Sequence, residues 1–115
     1  MKITIPVSVG DFLDRLTILQ IKNNYGLDVD VELAHYTEAT KVLPNLSCQM
    51  YRDILEEVNQ QLWYLEDQKR QPLEGDQYKE VADLITHLND LRYQVKKSAD
   101  KHFGSEIQEK KSHRE

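Results

Sequence analysis

Two long runs of helical periodicity, held apart by a stretch that cannot be helix, constrain this chain more than any other feature. In the first, Tyr51, Leu55, Val58, Leu62 and Leu65 recur at spacings of 4, 3, 4 and 3 residues. In the second, Tyr78, Val81, Ile85, Leu88, Arg92, Val95 and Ala99 recur at 3, 4, 3, 4, 3 and 4. Such spacing keeps one side of each helix apolar, as in a coiled coil. Between the runs, Pro72 lacks the amide hydrogen a helix needs, and Leu73-Glu74-Gly75 reads as a turn. Two seams joined by so short a turn pack antiparallel at a shallow angle. The expectation is an all-α fold built on a long antiparallel helical hairpin. Its first arm starts at Ser47 and runs to about Gln71. Its second is capped by Asp76 and closed by Gly104 after about 27 residues, roughly 40 Å at 1.5 Å per residue.

The chain before the hairpin predicts two more helices. Ile3, Ile5 and Val7 alternate with Lys2, Thr4 and Pro6, the period of a short extended segment. Its backbone needs partners, so it pairs with a copy of itself or lies against the helices, and Pro6 restricts it to an edge. Ser8 then caps a helix, with Asp11 placed to suit the helix dipole. Phe12, Leu13, Leu16, Ile18, Leu19 and Ile21 give that helix a broad apolar face, and Gly26 stops it. Asp28 and Asp30 offer caps for a short helix over about Val31 to Leu43, ended by Pro44. The organisation expected is one helical domain, 1–115, in which the hairpin packs with two N-terminal helices and a polar tail follows from about 105 to 115.

Composition excludes several functions. A net charge of -5 disfavours nucleic acid, whose phosphates call for a basic patch. Cys48 is the only cysteine, which rules out an intrachain disulfide and a cysteine zinc cluster. No stretch approaches the ~20 apolar residues of a membrane span. Met1 to Pro6 lacks the apolar run of a signal peptide, so the expected place is the cytoplasm. His35, His87, His102 and His113 show no metal-binding spacing, and the chain has neither a glycine-rich phosphate loop nor a nucleophile elbow. No cofactor, resident metal or catalytic residue is therefore assigned.

Counting from the turn levels Asn59 with Asn89, Trp63 with Ile85, and Glu56 with Arg92. Arg92 holds a seam position that should be apolar, and a buried arginine needs a carboxylate, here expected from Glu56. This polar layer reads as a register lock, a ligand site or a solvated patch. Glu66, Asp67 and Arg70 follow Trp63 on the same helix, and Glu66 and Arg70 are spaced to pair. The candidate binding residues are Trp63, Glu66, Asp67, Arg70, Asn89, Asp90 and Arg92, with the arginines suited to a phosphate or carboxylate. Asp53/Glu56 and Glu80/Asp83 are similar to the paired carboxylates of all-α nucleoside triphosphate pyrophosphohydrolases. By heptad count these four point away from the seam and need another helix or subunit to enclose a metal.

Taken together, several motifs resemble a bacterial and phage family of no established activity. They are Pro6-Val7-Ser8-Val9-Gly10-Asp11, Leu13-Asp14-Arg15-Leu16-Thr17-Ile18-Leu19 with Ile21-Lys22, and Asn59, Leu62-Trp63, Glu66-Asp67 and Arg70. Asn89-Asp90 with Arg92, and Gly104-Ser105, Ile107, Glu109 and Lys111-Ser112, complete the set. About 23–45 matches nothing in it. The resemblance implies an accessory role in cell-surface polysaccharide synthesis. It also implies that Ile107 docks the tail on the helices, and that polar residues beyond the needs of packing matter: Asp14, Lys22, Glu109 and Lys111 besides the binding candidates. The function expected is a non-catalytic interaction or assembly module, a homodimer, because the apolar surface exceeds what a thin hairpin can bury. The alternative is a small-ligand or phosphate-binding protein or an enzyme, including a metal-dependent pyrophosphohydrolase.

Overall fold

The computed structural model describes residues 1–108. The fold is all-α: four helices and one short 3-10 turn, with no strand among the described residues. Helix α1 spans Val9–Asn24, α2 Asp30–Ala39, α3 Asn45–Lys69 and α4 Gln77–Phe103; the 3-10 turn covers Thr40–Val42.

Helix α1 begins where Ser8, in extended backbone, accepts a hydrogen bond from the Asp11 amide at 3.0 Å. Its other leading amides also find partners. Val9 N donates to Ser105 Oγ at 3.2 Å, Gly10 N to Asp100 Oδ1 at 2.6 Å, and Phe12 N to Ser8 O at 3.0 Å. Phe12 makes the first intrahelical bond, and three of the N–H groups that a helix start leaves unsatisfied, those of Val9, Gly10 and Asp11, are thus met by side chains, two of them from the far end of the chain. Asp100 also sets a carboxylate at the positive end of the α1 dipole.

Helices α1 and α4 end alike. At α1, Leu27 N donates to Lys22 O and Gly26 N to Asn23 O, both at 3.0 Å, with Gly26 at φ +83°. At α4, Ser105 N reaches Asp100 O at 2.8 Å and Gly104 N reaches Lys101 O at 3.3 Å, with Gly104 at φ +65°. Both are Schellman turns, whose left-handed residue is cheapest as glycine.

Three expected caps do not form. Helix α2 starts after Val29 with no side-chain cap, so neither Asp28 nor Asp30 caps it, and Asp30 lies in the first turn. It ends at Ala39, short of Leu43, because the chain tightens into the 3-10 turn. Helix α3 starts at Asn45 behind Pro44, two residues before Ser47. Asp76 precedes α4 but has helical backbone, φ -72° and ψ -6°, so its side chain does not swing onto the first turn. Gln77 Oε1 instead accepts from Glu74 N at 2.9 Å.

Leu13 of α1, Cys48 and Leu55 of α3 and Ala99 of α4 form the central core, and Val58, Leu62 and Leu88 form a second cluster between α3 and α4. Tyr51 Oη lies 2.9 Å from Ser98 Oγ, so the start of α3 is level with the end of α4. Helix α2 buries no residue fully and rests on α1, where Tyr36 stacks on Phe12 at 5.2 Å. Gly10 lets α1 meet α4: a Cβ there would lie 2.2 Å from Lys96 O. Residues before Ser8 form no strand, and Ile3 and Ile5 are exposed, not laid against the helices. Ile107 is also exposed, though Ser105 Oγ donates to its carbonyl at 2.5 Å. Glu109 and Lys111 lie outside the described residues.

Candidate ligand cleft and its charged anchor

At the middle of the molecule a carboxylate is buried where three helices meet. Asp14 of α1 is 1% exposed. Arg92 of α4 grips it with two nitrogens, Nε at 2.8 Å from Oδ1 and Nη2 at 2.5 Å from Oδ2. Asn59 of α3 donates to Asp14 Oδ1 and to Thr17 Oγ1, both at 2.9 Å, and Thr17 Oγ1 donates to Asp14 O at 2.7 Å. Lys96 Nζ stands 4.0 Å from Asp14 and 3.3 Å from Asp11. Asp11 pairs in turn with Arg15 at 3.2 Å, which raises the Arg15 guanidinium above its ordinary pKa. A buried carboxylate persists only when its charge and lone pairs are met, and here both are. The carboxylate that grips Arg92 thus comes from α1, not from the Glu56 that the count along the two seams put level with it.

Beside this anchor a cleft of about 370 Å³ opens between α1, α3 and α4. Ile18, Ile21, Leu62 and Trp63 supply its apolar lining, and Asn59, Arg92 and Asn89 close one side. Glu66, Asp67 and Arg70 line it as well, from the exposed surface of α3. The arginine anchored on Asp14 therefore also faces the cleft. Its Nη1 lies 3.5 Å from Asn89 Oδ1. Trp63 stacks on Tyr25 at 5.3 Å, with the rings 21° apart. Arg70 Nη1 lies 3.4 Å from Asp67 Oδ1, a loose and exposed pair.

Six of the seven candidate binding residues thus line one cleft: Trp63, Glu66, Asp67, Arg70, Asn89 and Arg92. Asp90 is exposed and is not among the lining residues. Counting along two helices misses what α1 adds, Ile18 and Ile21, and the Tyr25 ring behind Trp63. The signal for the isoleucines was the width of the α1 apolar face.

No Ser, Cys or His lines the cleft among the described residues, and its titratable side chains are those of Glu66, Asp67, Arg70 and Arg92. It can accept a small polar molecule, with apolar surface for a ring and arginine and amide groups for its polar edge. Among the described residues no three His, Cys, Asp or Glu side chains converge as a metal site. Asp83 is paired with Lys79 at 2.8 Å, which raises the lysine pKa, and Glu80 and Asp83 are exposed. No described helix is long and apolar enough to cross a membrane. Compared with family models, curated proteins and solved structures, the chain matches none. The bacterial and phage resemblance rests on its motifs alone.

Proposed function

We propose that this protein is a non-catalytic assembly module that works as a homodimer, with α3 and α4 as the antiparallel hairpin at its centre. One observation carries the reading. The pair α3–α4 has α1 on one side, while Met50, Ile54, Tyr64, Leu84 and Leu91 remain exposed. Two shallow grooves run between α3 and α4 there, and no α1 residue lines either. An exposed apolar tract of this kind marks an interaction surface. Light scattering at micromolar concentration tests it: a dimer is expected, and a clean monomer removes the reading. Kinship with the bacterial and phage family would make the module an accessory to cell-surface polysaccharide synthesis. The cytoplasm is favoured as its place by Met1 to Pro6, which lack the apolar run of a signal peptide.

The cleft favours a second reading, a small-ligand binder whose Arg70 and Arg92 receive a phosphate or carboxylate. Thermal-shift titration with nucleotides, sugar nucleotides and inorganic phosphate tests it. Arg70→Ala should abolish a shift without changing the melting temperature of the unliganded protein, because Arg70 is exposed. No shift from any of these removes this reading. A pyrophosphohydrolase would need a second subunit to bring Asp53, Glu56, Glu80 and Asp83 around Mg²⁺. It predicts Mg²⁺-dependent nucleotide cleavage lost in Glu80→Gln, and absence of cleavage removes it.

A further inference from the structure

We infer that a second copy of this chain docks on the exposed face with α4 antiparallel to α4, about a two-fold axis that crosses the helices at Leu91. The inference rests on the homodimer reading and adds orientation and register to it.

The two grooves carry the argument. One, about 390 Å³, lies far from the α3–α4 turn, between Met50 and Ile54 on α3 and Ser98 and His102 on α4. The other, about 540 Å³, lies nearer the turn, between Tyr64 and Leu65 on α3 and Leu84 and His87 on α4. Leu91 stands between them on α4 and is 43% exposed. Leu84 and Ser98 each stand seven residues from Leu91, on the same stripe of the helix. A two-fold axis at Leu91, perpendicular to the helices, exchanges the grooves. Each groove of one copy then lies on the other groove of its partner, and Leu91 meets Leu91. A two-fold axis parallel to the helices would lay α4 on α3. Tyr51 is level with Ser98, so Leu91 is level with the turn of α3 where Gln61 donates to Glu57 at 3.0 Å. That axis sets an apolar ridge on a polar pair, whereas the perpendicular axis sets it on its own copy.

Charge along α4 agrees. Beside the apolar stripe, the exposed charged residues near the turn are Lys79, Glu80 and Asp83, and those near the far end include Lys97 and Lys101. Asp83 already holds Lys79, so Glu80 is the acid that is offered outward. Antiparallel docking at Leu91 brings Glu80 of each copy to Lys101 of the other. Parallel docking of α4 on α4 would set acid on acid and base on base, which costs affinity and suppresses that arrangement.

Cysteine cross-linking and charge exchange test the inference on the full chain, with circular dichroism to verify folding. Leu91→Cys should link to itself rapidly under mild oxidation. Leu84→Cys should not, because its two copies would lie about 20 Å apart at 1.5 Å per residue. Mixed with Ser98→Cys, it should link across copies. Glu80→Lys and Lys101→Glu should each weaken the dimer about fivefold, from two exposed pairs lost together, and the double exchange should restore it. Self-linking of Leu84→Cys as fast as that of Leu91→Cys overturns the register, as does a double exchange no tighter than the single ones. In either case a wild-type dimer leaves the assembly reading standing. A wild-type monomer overturns both.

Discussion

One side of the α3–α4 pair is locked to α1 by charge and close backbone contact, whereas the other is apolar, grooved and exposed. On the locked side Asp14 is gripped by Arg92 and Asn59, and Gly10 lies against the Lys96 backbone. These contacts have one geometry. A register shift of a single turn would bury Asp14 without its arginine, a large penalty. On the exposed side Met50, Ile54, Leu84 and Leu91 make no such demand. Apolar contact is non-directional and tolerates many partners. The contrast is one of constraint: the inner face determines how the chain folds, and the outer face, free of such demands, is the one we propose for association. Two of the inner partners, Asp100 and Ser105, reach the start of α1 from the far end of the chain.

The steepest test of the locked side is Gly10→Ala. The new methyl would meet a backbone carbonyl, which cannot turn aside as a side chain can. Overpacking of this kind should destabilise by about 3 kcal/mol, read by urea unfolding. A loss within about 0.5 kcal/mol, the scale of an ordinary surface change, would show that α1 and α4 are not interlocked there.

Asp14→Ala should be comparable, at about 3 kcal/mol, because it removes the buried carboxylate that Arg92 grips with two nitrogens and that Lys96 approaches. The double variant Asp14→Ala/Arg92→Ala should cost clearly less than the sum of the two single ones. Strict additivity in that cycle would mean that the pair contributes nothing beyond its separate side chains.

Parts of this contrast were legible beforehand, for physical reasons. Helix ends set by one residue's backbone preference read correctly: Gly26 and Gly104 adopt the left-handed conformation expected of C-terminal stops. Ser8 caps as its residue type suggests. Caps that depend on the preceding backbone did not read. A cap side chain needs extended geometry, and Asp76 is helical. The partner of Arg92 was out of reach because a count along two helices says nothing of the third, whose placement depends on Gly10 and Asp100 some ninety residues apart. The cleft was half legible. The sequence offered Trp63 as an aromatic anchor and Arg70 and Asn89 as polar candidates, but the isoleucine wall required α1 to be in place.

Ser8→Ala separates the two levels at which α1 is held. It removes a side-chain acceptor from the Asp11 amide but leaves the Phe12 to Ser8 backbone bond and the contacts from Asp100 and Ser105. The expected cost is about 1 kcal/mol, an ordinary cap. A loss of the size expected for Gly10→Ala would show that the whole α1–α4 contact depends on this hydroxyl, and the locked side would be more fragile than its charge network suggests.

The smallest effect belongs to the outer face. Ile54 is 46% exposed, so Ile54→Ala removes little burial within one copy and should cost about 0.5–1 kcal/mol when the protein is dilute. Concentration turns this weak substitution into a sharp test. A second copy that binds only the folded state stabilises it by mass action, so the melting temperature of the wild type should rise with protein concentration. In the variant that rise should shrink, because the removed methyl groups face the partner rather than the core. Gly10→Ala should do the reverse, lowering the melting temperature at every concentration. If Ile54→Ala also shifts the whole curve uniformly and keeps the wild-type slope, then Ile54 acts within the monomer, and the two faces differ in exposure but not in role.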